Sequence, residues 1–115
     1  MNIETDFLVI GSGIAGLSYA LKAAEVGKVV IVTKGEMNEC NTDYAQGGIA
    51  SVMYDPDTFE KHIRDTLVCG AGICDRAAVE QVVTRAPEVI KQLIAWGVKF
   101  DKEGTGRYEL AREGG

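Results

Sequence analysis

Short apolar runs alternate with polar and glycine-rich segments along the first third of the chain. Residues 7–10, FLVI, and residues 29–32, VVIV, are uninterrupted apolar runs of the length typical of buried strands. Between them, apolar residues recur at helical spacing from Leu17 to Ala24, and Gly27 ends the pattern. The pattern predicts a strand, a helix and a second strand, the βαβ unit of a parallel sheet.

The turn between the first strand and the helix carries a complete G-x-G-x-x-G pattern at residues 11–16. Gly11 allows a tight turn, Gly13 lets a pyrophosphate approach the backbone, and Gly16 lets the helix pack against the strands. The helix N-terminus then offers free N–H groups to the phosphates. A glycine-rich turn without a ligand is the alternative, but the flanking strand and helix favour a dinucleotide site.

One part of the dinucleotide pattern is missing. An acidic residue that holds the ribose hydroxyls is expected about 20 residues further on. Thr33 and Lys34 occupy that place, and the nearest acid is Glu36. Two interpretations of Lys34 stay open: it contacts a phosphate or ribose, or it is a solvated lysine.

The segment after the βαβ unit is polar and then rich in glycine. Residues 36–43 are predicted to form a loop, and residues 45–48 read Ala-Gln-Gly-Gly. The twin glycines form either a turn before a strand at 49–54 or a loop that lies against a planar cofactor ring, and both alternatives stay open.

Helical patterns dominate the following segment. Asp57 is predicted to cap one helix, and Asp75 to cap another that extends to Arg85. Pro87 suits the first turn of a new or kinked helix, and Gly97 its C-terminal cap. The sequence therefore predicts mainly helix from Asp57 to Trp96, with a short strand at 98–100.

Composition restricts the class of protein. The 115 residues carry 12 basic and 17 acidic side chains, a net charge of −5, which argues against non-specific nucleic-acid binding. No apolar stretch approaches the ~18 residues of a membrane span. Acidic residues near the start are unlike a signal peptide, so a cytoplasmic protein is expected.

The three cysteines are predicted to be free thiols. Cys69 and Cys74 do not have a zinc-ligand spacing, and only His62 is available to join them. No metal site is therefore predicted. Cys69 is interpreted as a small apolar core residue, and His62 as a surface or packing residue.

The chain is predicted to be an incomplete α/β domain. One βαβ unit cannot cover both faces of a parallel sheet, and the sequence stops on Gly114 and Gly115 within a charged stretch. We therefore expect the first part of a doubly wound, Rossmann-like domain. Its expected subdivision is 1–54 for the βαβ unit and flavin loop, 55–100 for the helical segment, and 101–115 for a loop leading to the substrate site.

Four blocks of the sequence resemble the succinate dehydrogenase and fumarate reductase flavoprotein family, and within it the members that oxidise L-aspartate. They are VIGSGIAGLSYAL at 9–21, VTKGEMNECNTDYAQGGIASV at 32–52, DTLVCGAGICDRAAVEQVV at 65–83, and REGG at 112–115. The likeness covers essentially the whole chain. It implies the leading part of a chain several times longer.

The resemblance implies FAD as cofactor, bound without a covalent bond. In the membrane-complex relatives a histidine near the Ala-Gln-Gly-Gly block is joined covalently to FAD, and Asn41 takes that place here. Together with the glycine pattern, the resemblance predicts FAD contacts at Gly11, Ser12, Gly13, Ile14, Ala15, Gly16, Lys34, Asn41, Thr42, Asp43, Tyr44, Ala45, Gln46, Gly47 and Gly48.

The reaction that the resemblance implies is oxidation of L-aspartate to iminoaspartate, with oxygen or fumarate as acceptor. The product is expected to pass to quinolinate synthase in NAD biosynthesis. Glu113 is implied to orient the substrate near its amino group, and the main catalytic acid or base is expected beyond residue 115. A soluble fumarate reductase or succinate dehydrogenase-type flavoprotein and a non-catalytic nucleotide-binding module are the alternatives.

Overall fold

The computed structural model describes residues 2–45 and 47–111, and the chain forms two compact units, 1–48 and 49–115. The helices and strands are β1 Phe7–Ile10, α1 Ile14–Ala23, β2 Val29–Val32, α2 Asn41–Tyr44, α3 Phe59–Cys69 and α4 Arg76–Ala95. The α/β class predicted from the sequence is confirmed. The functional subdivision at residues 54 and 100 stays a prediction.

The first unit is built on the predicted βαβ arrangement. β1 and β2 pair in parallel, with Phe7 opposite Val29 and Ile10 opposite Val32. Helix α1 packs against this pair, and Val9, Ala20 and Ala23 are the buried apolar residues of the unit. Side chains alternate along a strand, so Val9 contributes to one face of the sheet only.

The opposite face of the sheet is open. Leu8 is 58% exposed and Ile10 is 83% exposed. A parallel sheet is normally covered on both faces, and the described residues leave this apolar surface exposed. The residues that precede the two strands are linked by a hydrogen bond, because Lys28 N donates to the Asp6 carboxylate at 2.7 Å.

In the second unit, α3 and α4 pack against each other. The predicted cap at Asp57 is wrong: α3 begins after Thr58, whose hydroxyl accepts a hydrogen bond of 3.2 Å from Lys61 N. The Asp57 carboxylate accepts instead from Thr58 N at 2.9 Å. The cap at Asp75 is confirmed, since its carboxylate accepts from Ala78 N at 3.0 Å.

Helix α4 continues through Pro87, so the predicted end of a helix at Arg85 is wrong. Proline removes one intrahelical hydrogen bond, but Val83, Ile90 and Leu93 on either side of it are buried. Burial of this apolar face keeps the two halves of the helix together. Gly97 follows with φ +103°, as expected after a helix end.

Other local predictions differ from the structure. Residues 98–100 form no strand, and residues 41–44 are a short helix where a loop was expected. Of the two alternatives for the glycine-rich segment, the one with a strand at 49–54 is not formed. Cys69, at the C-terminal end of α3, is exposed rather than part of the core. Lys102 and Tyr108 form an antiparallel bridge that closes a small hairpin.

Candidate functional site

The glycine turn has the geometry that its sequence predicts. Gly11 has φ +104°, a conformation that other residues rarely adopt, and its N–H extends the sheet by donating to Val32 O at 2.8 Å. A Cβ atom at Gly16 would lie 2.5 Å from Gly11 O and 3.3 Å from Val9 Cγ1. Glycine at this position therefore lets α1 approach the end of β1.

Helix α1 begins directly after the glycine turn, and the backbone N–H groups of its first residues lie there. Ile14 N donates to Thr42 Oγ1 at 3.0 Å. The N–H groups of Ala15 and Gly16 have no acceptor among the residues that the structure describes. Unpaired N–H groups at a helix N-terminus, with the positive end of the helix dipole, attract phosphate oxygens.

Space for a phosphate exists at Gly13. The residue has φ −69°, and a Cβ atom there would contact only Thr42 Oγ1, at 3.7 Å. Its backbone is thus open on the side where a ligand would approach. Ser12 beside it is 5% exposed and forms the buried wall of the turn.

Among its described residues, the predicted flavin loop contributes one hydrogen bond to this turn. Thr42 lies in α2 and reaches Ile14, 28 positions earlier in the chain. In the same helix, Tyr44 donates a hydrogen bond from its hydroxyl to Glu39 at 3.4 Å, and Asn41 is exposed. The structure therefore joins the two segments predicted to bind FAD, through a bond that the sequence did not reveal.

The other residues predicted to contact FAD take no part in the hydrogen bond between Thr42 and Ile14. Lys34 follows β2 and is exposed, without an ion pair to any described residue, so both interpretations of this lysine stay open. Asp43, Gly47 and Gly48 are also exposed. Gln46 and Glu113 lie outside the described residues, and the FAD contacts as a set stay predictions.

The second unit has a polar cluster that the sequence analysis missed. The Arg107 guanidinium lies 4.7 Å from the centre of the Tyr54 ring, and the Tyr54 hydroxyl accepts a hydrogen bond of 3.4 Å from Tyr108 N. These contacts hold the hairpin at 102–108 against the segment before α3. Paired aromatic and basic residues 53 positions apart give no local sequence signal.

Within residues 2–45 and 47–111, no group of His, Cys, Asp and Glu is arranged to hold a metal ion. Over the same residues, no helix is long and apolar enough to cross a membrane.

The parallel βαβ unit and its glycine turn define a dinucleotide-binding protein. The residues present fit FAD: the N–H groups of Ala15 and Gly16 have no acceptor among the described residues, a Cβ atom at Gly13 would have one neighbour within 4 Å, and Gly16 permits the close helix packing. The sequence profile of the FAD binding domain matches residues 6–115. The chain belongs to this family, and FAD is its cofactor, which confirms the expectation from the resemblance.

Curated relatives are identical to the chain at about half of the aligned positions. It is 53% identical over 110 residues to the chloroplastic L-aspartate oxidase of Oryza sativa subsp. japonica, and 50% identical over 117 residues to the L-aspartate oxidase of Vibrio cholerae. These alignments cover 96% and 97% of the chain but 17% and 22% of the relatives. The chain thus spans about a fifth of their length.

Solved structures share its fold. The quinol fumarate reductase FrdA of E. coli superimposes with a TM-score of 0.85 at 30% identity, over 96% of this chain and 19% of that chain. Sdh1 of Mycobacterium smegmatis in complex with UQ1 gives the same values. The resemblance to the fumarate reductase and succinate dehydrogenase flavoproteins is therefore confirmed.

Proposed function

We propose that the chain is the FAD-binding start of an enzyme that oxidises L-aspartate to iminoaspartate. The observation that carries this proposal is the 53% identity to a curated L-aspartate oxidase across 96% of the chain. The identity to the solved fumarate reductase is 30%, also over 96% of the chain. The proposal includes a place in NAD biosynthesis before quinolinate synthase, which the family resemblance implies, and a cytoplasmic location, which the sequence leads us to expect.

The described residues would serve to bind and orient the cofactor. The N–H groups of Ala15 and Gly16 would donate to its phosphates, and the backbone at Gly13 would allow the close approach. Bound FAD supplies the hydride acceptor for the substrate α-carbon. Glu113 is proposed to pair with the substrate ammonium group, which distinguishes L-aspartate from succinate.

Oxidation of L-aspartate balances without further cofactors. The α-carbon loses a hydride and the amino group loses a proton, which leaves the C=N bond of iminoaspartate. Oxygen then takes up the two electrons as hydrogen peroxide, or fumarate takes them up as succinate. The residues that move the proton are expected beyond residue 115.

The second candidate is a soluble succinate- or fumarate-using flavoprotein, which the TM-score of 0.85 to the fumarate reductase favours. The intact protein, loaded with FAD, is assayed with L-aspartate and with succinate under the same acceptor conditions. Peroxide or succinate formation that depends on L-aspartate supports the proposal. Oxidation of succinate without activity on L-aspartate would establish the second candidate instead.

A further inference from the structure

Thr42 joins the two segments of the proposed cofactor site through a hydrogen bond. Its hydroxyl accepts from Ile14 N at 3.0 Å, and the same oxygen lies 3.7 Å from the position of a Cβ atom at Gly13. The hydroxyl is therefore next to the space for a phosphate. It belongs to the segment at 41–48, whereas Ile14 and Gly13 belong to the glycine turn.

The Thr42 hydroxyl is able both to accept and to donate a hydrogen bond. A hydroxyl accepts through its lone pairs and donates one hydrogen. Thr42 has no acceptor for that hydrogen among the residues that the structure describes. A hydroxyl that accepts from a helix N–H becomes a better donor, so this hydrogen is available to an anionic oxygen beside Gly13.

We propose that Thr42 is a positioning residue that couples phosphate binding at the glycine turn to the order of the segment at 41–48. The proposal rests on the FAD site proposed above and adds a mechanism to it. The Thr42 hydroxyl accepts the hydrogen bond from Ile14 N in the first turn of α1. The N–H groups of Ala15 and Gly16 then remain for the phosphates. Coupling of this kind is reciprocal: ligand at the turn orders the loop, and the ordered loop raises affinity.

The first test measures FAD affinity in the intact protein. Thr42→Val keeps the shape of the side chain and removes the hydroxyl, and it is expected to raise the Kd for FAD roughly tenfold. Thr42→Ser restores the hydroxyl and is expected to bind within about twofold of the unmodified protein. Thr84→Val is the matched control, because its hydroxyl donates within α4 to Glu80 O and its loss should leave the Kd unchanged.

The second test separates coupling from a purely structural role. ADP, which carries the phosphates but no flavin, is added and hydrogen exchange is measured in peptides covering 14–20 and 41–48. In the unmodified protein ADP is expected to slow exchange in both peptides. In Thr42→Val it should slow exchange at 14–20 while the slowing at 41–48 is lost, and Thr42→Ser should regain it.

Each contrary outcome has a distinct meaning. Unchanged FAD affinity in Thr42→Val, or ADP protection of 41–48 that survives the substitution, overturns the coupling while leaving the FAD site intact. Tighter binding by Thr42→Val also overturns it, because the hydroxyl would then compete with phosphate for Ile14 N. Failure of the unmodified protein to bind FAD overturns both the coupling and the proposed site.

Discussion

Two glycines of the same turn are expected to respond differently to replacement by alanine. Gly13 and Gly16 lie one helical turn apart, and both belong to the dinucleotide pattern. A methyl group at Gly16 meets backbone, whereas one at Gly13 meets only the Thr42 hydroxyl at ordinary contact distance. Gly16→Ala should therefore damage the fold, and Gly13→Ala the binding of cofactor.

The distances set the magnitude for Gly16→Ala. The new methyl would lie 2.5 Å from Gly11 O, so helix or strand must move by several tenths of an ångström. Overpacking of this kind costs about 3 kcal/mol at its upper range. Alanine gains about 1 kcal/mol over glycine in a helix, so the free energy of unfolding should fall by about 2 kcal/mol.

Gly13→Ala is expected to leave the free energy of unfolding nearly unchanged. Its φ of −69° suits alanine, and the nearest atom is 3.7 Å away. The methyl occupies space that a phosphate needs to reach the N–H groups of α1. Loss of one hydrogen bond to a charged group costs about 1.5–3 kcal/mol, so the Kd for FAD should rise roughly ten- to hundredfold.

The assay combines urea unfolding of the apoprotein with titration of FAD by flavin fluorescence. Gly104→Ala is the matched control, because a Cβ atom there has no neighbour within 4 Å, and it should change neither measurement. The reasoning is refuted if Gly13→Ala lowers the unfolding midpoint as much as Gly16→Ala. It is also refuted if Gly13→Ala binds FAD normally.

Three further predictions concern separate parts of the chain. Asp75→Ala removes the cap of α4 and should cost about 1 kcal/mol in thermal unfolding; Asp75→Asn, which keeps an acceptor, should not, and equal losses would contradict the capping. Glu113→Gln should raise KM for L-aspartate roughly tenfold while sparing succinate, which has no ammonium group to pair; equal loss with both substrates would count against it. Acid precipitation should release the flavin, because Asn41 has no ring nitrogen to form a covalent bond, and colour in the pellet would disprove this.

The βαβ unit was predictable because its signals are local. The strands at 7–10 and 29–32 have the bounds expected from their apolar runs, and burial of such runs needs no knowledge of distant residues. The turn at Gly11 follows from the same segment, since a positive φ calls for glycine.

Other features depended on contacts between distant or competing residues. The hydrogen bond from Ile14 N to Thr42 joins residues 28 positions apart, and no rule of sequence spacing predicts it. At the start of α3, Asp57 and Thr58 are both capping residue types, and Thr58 takes the position. The pattern at Pro87 predicts a new or kinked helix and leaves the continuity of α4 undecided, because the burial that keeps α4 continuous arises from tertiary packing.

The lysine at the end of β2 is better understood from the sheet than from the pattern. Parallel strands end at one edge, and Gly11 N already bonds to Val32 O there, so Lys34 belongs to the same edge as the N-terminus of α1. The acid that usually stands at this position accepts hydrogen bonds from ribose hydroxyls. A lysine donates to the same hydroxyls and also brings a positive charge toward a pyrophosphate. In a chain with a net charge of −5, a cation at this edge is chemically compatible with an anionic cofactor, so the missing acid does not argue against FAD, and both interpretations of Lys34 stay open.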